Sequence, residues 1–218
     1  MKKSYLLDNI RFLPPCVPQK IVCVGLNYAA HIEESTLDLI TDEPVLFLKP
    51  PSSIIGHLDN IILPNWVDRV DYEGELAVII GKKIKNVSVD EAEDGIFGYT
   101  CLNDVTARNI QKKDNQWTRA KGFDTFCPFG PSIVAGIDAS SLAIQTRLNG
   151  KVVQQSNTNL LLRKTAEVIS FISKVMTLYP GDVISTGTPK GIGPLKDGDV
   201  VEVEIEQIGT LKNIAVAE

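Results

Sequence analysis

The chain of 218 residues is 44% hydrophobic and 22% charged, with a formal net charge of −5, which suits an ordinary globular protein long enough for one substantial core. The acidic balance and scattered lysines argue against nucleic acid, whose phosphates need clustered Lys and Arg, and no apolar run approaches the roughly 18 residues needed to cross a membrane. In the opening MKKSYLLDNIRF the apolar run is broken by Asp8 and Arg11, so no signal peptide is read there and a cytoplasmic protein is expected.

KIVCVGLNY (residues 20–28) is a β-rich run stopped by Gly25 and Asn27, and it delivers AAHIEESTLDL, whose composition predicts a short polar helix or lid. After Pro44, VLFLKPPSSIIG reads as a strand closed by two prolines. NIILP follows, and then VDYEGELAVII (residues 70–80), which reads as a buried strand ended by Gly81. SVDEAEDGIF predicts a short helix ended by Gly95, and GYTCLNDVTARNIQ passes from strand to a turn or helix start. Further strands are read in SIVAGI, in AIQTRLNGKVVQQ with Asn149-Gly150 as a two-residue hairpin turn, and in the alternating DGDVVEVEIEQIGTLKNIAV. They are interrupted by one helix, TAEVISFISKVMTLYP, with a face marked by Val168, Ile169, Ile172, Val175 and Met176. The expectation is a β-rich α+β protein: an N-terminal segment over 1–17, then a single domain over 18–218 without repeats or a composition shift.

Glu73 and Glu75 interrupt an otherwise buried strand, and strand alternation points both carboxylates the same way. Two like charges in a partly buried sheet must be relieved by a raised pKa or by a cation. Asp104, near the end of another predicted strand, would make a third oxygen donor. With no accompanying Cys and His set, the trio suits Mg²⁺, Mn²⁺ or Ca²⁺ better than structural zinc; the plainer alternative is the wet face of an edge strand. His31 and Glu34 are three apart and touch if helical, which would fix the imidazole tautomer and make a general base; the alternative is a chance pair on a surface helix. His57 is taken as a loop residue. Lys121 lies among small and aromatic residues, which fits partial burial beside an anion, and Arg108 and Gln111 could hold a carboxylate; an ordinary solvated cation face is the alternative. The glycine-rich TGTPKGIGP (residues 186–194) could offer backbone N–H groups to an anion, but it matches neither the Walker A nor the dinucleotide pattern, so no nucleotide is assigned. Cys16, Cys23, Cys101 and Cys127 are too far apart for a C-x-x-C motif and are read as core or bystander thiols.

In this order, NYAAHIEE, EPVLFLKP, YEGELAVIIG, GYTCLNDVTARNIQ, WTRAKGFDTFCPFGP, LNGKVVQQSNT, LYPGDVISTGTPKGIGPL and DGDVVEVEIEQIGTL resemble the fumarylacetoacetate hydrolase family from about residue 18 to the C-terminus. The likeness is to its short single-domain members, which lack the N-terminal domain of the enzyme that names the family. The resemblance implies a mixed β-sandwich roll, generally a homodimer, with Glu73, Glu75 and Asp104 as ligands of Mg²⁺ or Mn²⁺. It places His31 and Glu34 on the family's H-x-x-E pair in a segment that closes over the site, and Lys121 on its catalytic lysine. Arg108, Gln111 and Thr188 fall on substrate positions, while the stretch around Thr36 to Asp42 is where members differ.

The implied substrates are small 2-oxo acids. The first expectation is hydrolysis of an acylpyruvate-type 2,4-dioxo acid, with a metal-polarised carbonyl, water activated by His31 and negative charge stabilised by Lys121. Alternatives are oxaloacetate decarboxylation or tautomerisation, and isomerisation or decarboxylation of 2-hydroxyhepta-2,4-diene-1,7-dioate in aromatic catabolism. A metal-binding dimer without catalysis is a further alternative, against which the intact His31, Glu34 and Lys121 count.

Overall fold

The computed structural model describes residues 10–34 and 42–218; residues 35–41, which include the end of the predicted helix or lid, lie outside them. The β-branched runs become strands. β1 (Ile21–Gly25) leads into α1 (Ala29–Glu34), then β2 (Val45–Lys49), β3 (Ile54–Ile55), β4 (Asn60–Leu63), β5 (Val70–Tyr72) and β6 (Gly74–Ile80). Next come α2 (Val89–Glu93), β7 (Ile96–Asn103), β8 (Thr106–Ala107), α3 (Arg108–Lys113), α4 (Thr118–Lys121) and β9 (Cys127–Val134). The last part holds β10 (Ala143–Leu148), β11 (Lys151–Asn157), α5 (Thr165–Val175), β12 (Val183–Ser185), β13 (Gly193–Pro194), β14 (Val200–Ile205) and β15 (Gly209–Ala217). Among the described residues no helix is long and apolar enough to cross a membrane.

The strands form a seven-stranded sheet (β2-β1-β12-β6-β7-β9-β3), a five-stranded sheet (β11-β10-β14-β15-β4) and a small three-stranded one (β13-β5-β8), which is the expected β-rich α+β architecture. The hairpin predicted at Asn149-Gly150 is present, with φ of 51° and 77° at the two turn residues. A turn with positive φ at both positions matches the right-handed twist of the strands, and Asn and Gly tolerate it best. Cys23, Cys101 and Cys127 are buried and Cys16 is half-buried, all four as free thiols.

β6 lies between β12 and β7 with every residue buried, so the edge-strand reading of Glu73 and Glu75 does not hold. Leu76 packs against Ile144, Val203 and Leu211 of the five-stranded sheet, while Val78 and Ile80 pack with Val168, Ile169 and Ile172 of α5. On the other side Ala77 and Ile79 join Ile21, Cys23, Phe47 and Trp117, and Glu75 continues that side by strand alternation. The predicted apolar face of α5 needs one correction. Val175 is 59% exposed and Met176 lies beyond the helix as its cap. The buried arc is rotated toward Ser170 and Ser173, whose hydroxyls bond Val87 O at 2.8 Å and Val87 N at 3.0 Å. A hydrophobic-pattern reading passes over serines satisfied in this way.

Gly74, between the two glutamates, is a point of close approach between the sheets. A Cβ there would lie 2.2 Å from Thr146 Oγ1. Buried Gln154 uses its whole amide at this point: its oxygen accepts from Gly74 N (3.0 Å) and Thr146 Oγ1 (2.8 Å), and its nitrogen donates to Thr188 Oγ1 (2.9 Å) and Pro189 O (2.8 Å). Thr188 closes the ring by donating to Gly74 O at 3.0 Å. Gly74→Ala should therefore force the sheets apart, lowering the melting temperature by on the order of 3–10 °C and weakening divalent-cation binding. A Gly74→Ala protein with wild-type melting and wild-type cation titration would show that this contact does not position the glutamates.

Candidate active site

The seven-stranded sheet and the helices after β8 converge on a cavity of about 190 Å³, lined among others by His31, Glu34, Glu73, Glu75, Asp104 and Lys121. Glu73 occupies the break between β5 and β6, where Asp104 N donates to Glu73 O (2.8 Å) and Asn103 Oδ1 accepts from Glu73 N (2.9 Å). Those two bonds continue the β6–β7 pairing past its end at Gly74 and Asn103, and they fix Glu73 beside Asp104. One ligand atom each from Glu73, Glu75 and Asp104 lies within 4.8 Å of the others, and all three residues are buried.

Cations surround two of the three carboxylates. Lys121 Nζ, buried at the end of α4, donates to Glu73 Oε2 (2.7 Å) and Asp104 Oδ2 (2.6 Å). Lys49 Nζ, from β2, donates to Asp104 Oδ1 (2.5 Å) and Val105 O (3.1 Å). Arg108 reaches the remaining oxygen of Glu73 with Nη2 and donates to Asp71 Oδ2 (2.8 Å) and Gln111 Oε1 (2.5 Å) with its other nitrogens. Burial alone would raise the Glu73 pKa, but Lys121 and Arg108 outweigh it and hold the group well below the usual carboxylate range. Burial would likewise lower the Lys121 pKa, yet Asp104 and Glu73 raise it. Glu75 differs. Its oxygen accepts from the Ser185 hydroxyl and from Gly187 N (2.8 Å), but no ion pair reaches it among the described residues. Burial first, and then repulsion from Asp104 and Glu73, push its pKa up to about 8.

These donors fit a hard divalent cation. The set is all oxygen, its members are mutually close, and Glu75 is a buried carboxylate still lacking a counter-charge. Carboxylate oxygens have lone pairs enough to accept from Lys121 and bind an ion together.

The other predicted residues are close by, though not always in the expected roles. His31 is buried on α1, and its Nδ1 has no hydrogen-bond partner. Glu34 Oε2 stands 3.7 Å away, too far for the expected hydrogen bond, and accepts from Gly191 N at 2.9 Å instead. Burial lowers the His31 pKa, which keeps the imidazole neutral. Arg108 lines the cavity with its guanidinium bonded to Asp71, Glu73 and Gln111, so it holds the Glu73 carboxylate in place. Gln111 keeps its amide nitrogen without a protein partner among the described residues. Thr188 lines the cavity with its hydroxyl bonded to Gly74 O and Gln154. The glycine-rich loop does give N–H groups to anions: Gly187 to Glu75 and Gly191 to Glu34. His57 is a loop residue that accepts from Lys212 N.

Sequence reasoning missed Lys49, Asp71, Ser185 and Gln154. Two of these carried a signal. Asp71 extends the same period-two row as Glu73 and Glu75, and Lys49 is a lone charge closing an apolar strand.

The profile of the family described as fumarylacetoacetate (FAA) hydrolase C-terminal matches residues 20–216. An uncharacterized protein of Archaeoglobus fulgidus is 60% identical over 210 residues, covering 96% of this chain and 84% of that one. The mitochondrial oxaloacetate tautomerase FAHD2A of Bos taurus is 46% identical over 222 residues, covering 96% and 70% respectively. Among solved structures, the 5-carboxymethyl-2-hydroxymuconate delta-isomerase of Mycobacterium smegmatis superposes with a TM-score of 0.92 at 49% identity, covering all of this chain and 86% of that one.

Because the folded-state pKa of Glu75 is raised, the protonated form is the one that stabilises the metal-free protein. That contribution is complete below the ordinary carboxylate range and is lost as pH rises through about 8. Glu75→Gln should therefore raise the melting temperature of EDTA-treated protein near pH 9 and change it little near pH 5, while shrinking the rise produced by a divalent cation. A metal-free Glu75→Gln protein that melts below wild type near pH 9 would refute the assignment of repulsion at this position.

Proposed function

The chain belongs to the fumarylacetoacetate hydrolase family, and on that premise we propose that it is a tautomerase or isomerase that moves a proton between the carbon beside a 2-oxo acid carbonyl and the carbonyl oxygen. The observation that carries this reading is a neutral, buried imidazole with an unbonded nitrogen, in the same cavity as three carboxylates that fit a divalent cation. Bound Mg²⁺ or Mn²⁺ at Glu73, Glu75 and Asp104 would supply Lewis acidity toward the carbonyl. Lys121, Lys49 and Arg108 hold the carboxylates in place, so little reorganisation accompanies reaction. Gln111 offers its free amide N–H to a substrate oxygen. Phe47 and Trp117 give the cavity an apolar wall, packed edge to face on one another. His31 takes the proton from carbon and returns it to oxygen, so the substrate gains and loses none overall. The names of the tautomerase and isomerase relatives support the same reaction class.

Acylpyruvate hydrolysis, the first expectation from sequence, ranks second. It needs activated water, and the feature favouring it is Glu34 at 3.7 Å from His31. Glu34 is hydrogen-bonded to Gly191 N and not to the imidazole, so the oriented His31–Glu34 pair expected to activate water is not formed.

With Mg²⁺, purified protein should accelerate enol-to-keto conversion of oxaloacetate, followed by ultraviolet absorbance, and EDTA should abolish the effect. His31→Ala should reduce the rate roughly 10²–10⁴-fold with cation affinity retained. Because the His31 pKa is lowered, kcat/KM should hold constant down to below its ordinary value of 6.5 and then fall as the imidazole charges; His31→Ala should remove that limb. An unchanged rate in His31→Ala would defeat the proton-transfer role, and acylpyruvate cleavage outpacing tautomerisation would reverse the ranking.

A further inference from the structure

We infer that Arg69 recognises a second, distal carboxylate and so makes the site selective for 2-oxo dicarboxylates over monocarboxylates; this rests on the reading of the cavity as a 2-oxo acid site. Arg69 precedes β5, two residues before Asp71, so strand alternation turns both side chains the same way. Arg69 Nε and Nη2 grip the Asp71 carboxylate at 2.7 and 3.0 Å. Asp71 is fully buried and is also held by Arg108. Across the β5–β8 pair Arg108 N donates to Arg69 O at 2.8 Å, which fixes both arginines on the one carboxylate.

Each of the three guanidinium nitrogens of Arg108 has a protein partner, whereas Arg69 keeps one nitrogen open. Its side chain is 48% accessible and lines the cavity, and Nη1 has no protein partner among the described residues. A guanidinium immobilised by one carboxylate, with N–H groups left open, is preorganised to bind another. Lys112 lines the same cavity, exposed and in no ion pair among the described residues, and adds positive charge at that rim.

Formal charge points the same way. With Glu75 ionised, as a bound cation would require, four carboxylates (Asp71, Glu73, Glu75, Asp104) face four cations (Lys49, Lys121, Arg108, Arg69), a balance of zero in which ion pairs join every member but Glu75. A divalent cation raises that balance by two, which a dicarboxylate restores and a monocarboxylate leaves half-compensated.

The test is isothermal calorimetry on the Mg²⁺-loaded full chain with 2-oxopentanedioate and 2-oxopentanoate, which differ only in the distal carboxylate. Wild type should bind the dicarboxylate about tenfold or more tighter. Arg69→Gln should collapse the ratio of dissociation constants toward 1, with the change carried by the dicarboxylate, and Arg69→Lys should restore part of it. A separate Mg²⁺ titration should match wild type in Arg69→Gln. Equal weakening of both acids, loss of Mg²⁺ affinity in Arg69→Gln, or a wild type that binds neither acid or fails to discriminate would each overturn the inference. A wild type that prefers the dicarboxylate in an Arg69-dependent way, yet enolises no 2-oxo acid, would uphold it while defeating the tautomerase reading.

Discussion

Three carboxylates confined within 4.8 Å inside the protein are the constraint on which the rest of the structure turns. Each carries a desolvation penalty of several kcal/mol, and together they repel one another. The chain answers by surrounding them with buried cations from separate elements: Lys49 from β2, Lys121 from α4 and Arg108 from α3. Breaking such a buried pair costs about 3–5 kcal/mol, so the arrangement is locked once formed. Glu75 is left with hydrogen bonds but no cation. The folded chain thus keeps a local deficit of positive charge, and an incoming ion gains most where that deficit lies.

Holding this cluster requires a rigid mount, which Glu75 finds on β6, a strand buried along its whole length, and Glu73 in the position just before it. β6 is paired on both sides and packed on both faces, by α5 and the five-stranded sheet on one and by the Phe47–Trp117 cluster on the other. Gln154 and Thr188 then tie the strand's first residue to the glycine-rich loop. The two glycines of that loop that donate to Glu75 and Glu34 thereby link the carboxylate floor to the helix carrying His31.

Much of this was legible in the sequence because it follows short-range rules. Period-two alternation placed Glu73 and Glu75 on one side, Asn149-Gly150 set its hairpin, and the motif order gave the family. Other features were hidden because they depend on contacts distant in the chain. Nothing local to β2 shows that Lys49 meets Asp104, 55 positions later, and nothing near Gln154 shows that it clamps Gly74. The expected His31–Glu34 bond failed for the same reason: helical spacing brought the two near, but Gly191, remote in sequence, competes for the carboxylate.

The charged row at 69, 71, 73 and 75 makes the two ends of the cavity one electrostatic unit. Arg69 is bonded to Asp71, Asp71 to Arg108, and Arg108 to Glu73, so each charge in the row is compensated by its neighbours. Asp71, fully buried between the two arginines, orients Arg69 at the rim and Arg108 beside the floor at once. Loss of Asp71 would release both ends, because each arginine would lose a charged partner in a poorly solvated interior. Loss of Arg69 leaves Asp71 held by Arg108 and the floor in place, so the rim can change its ligand without rebuilding the carboxylate cluster.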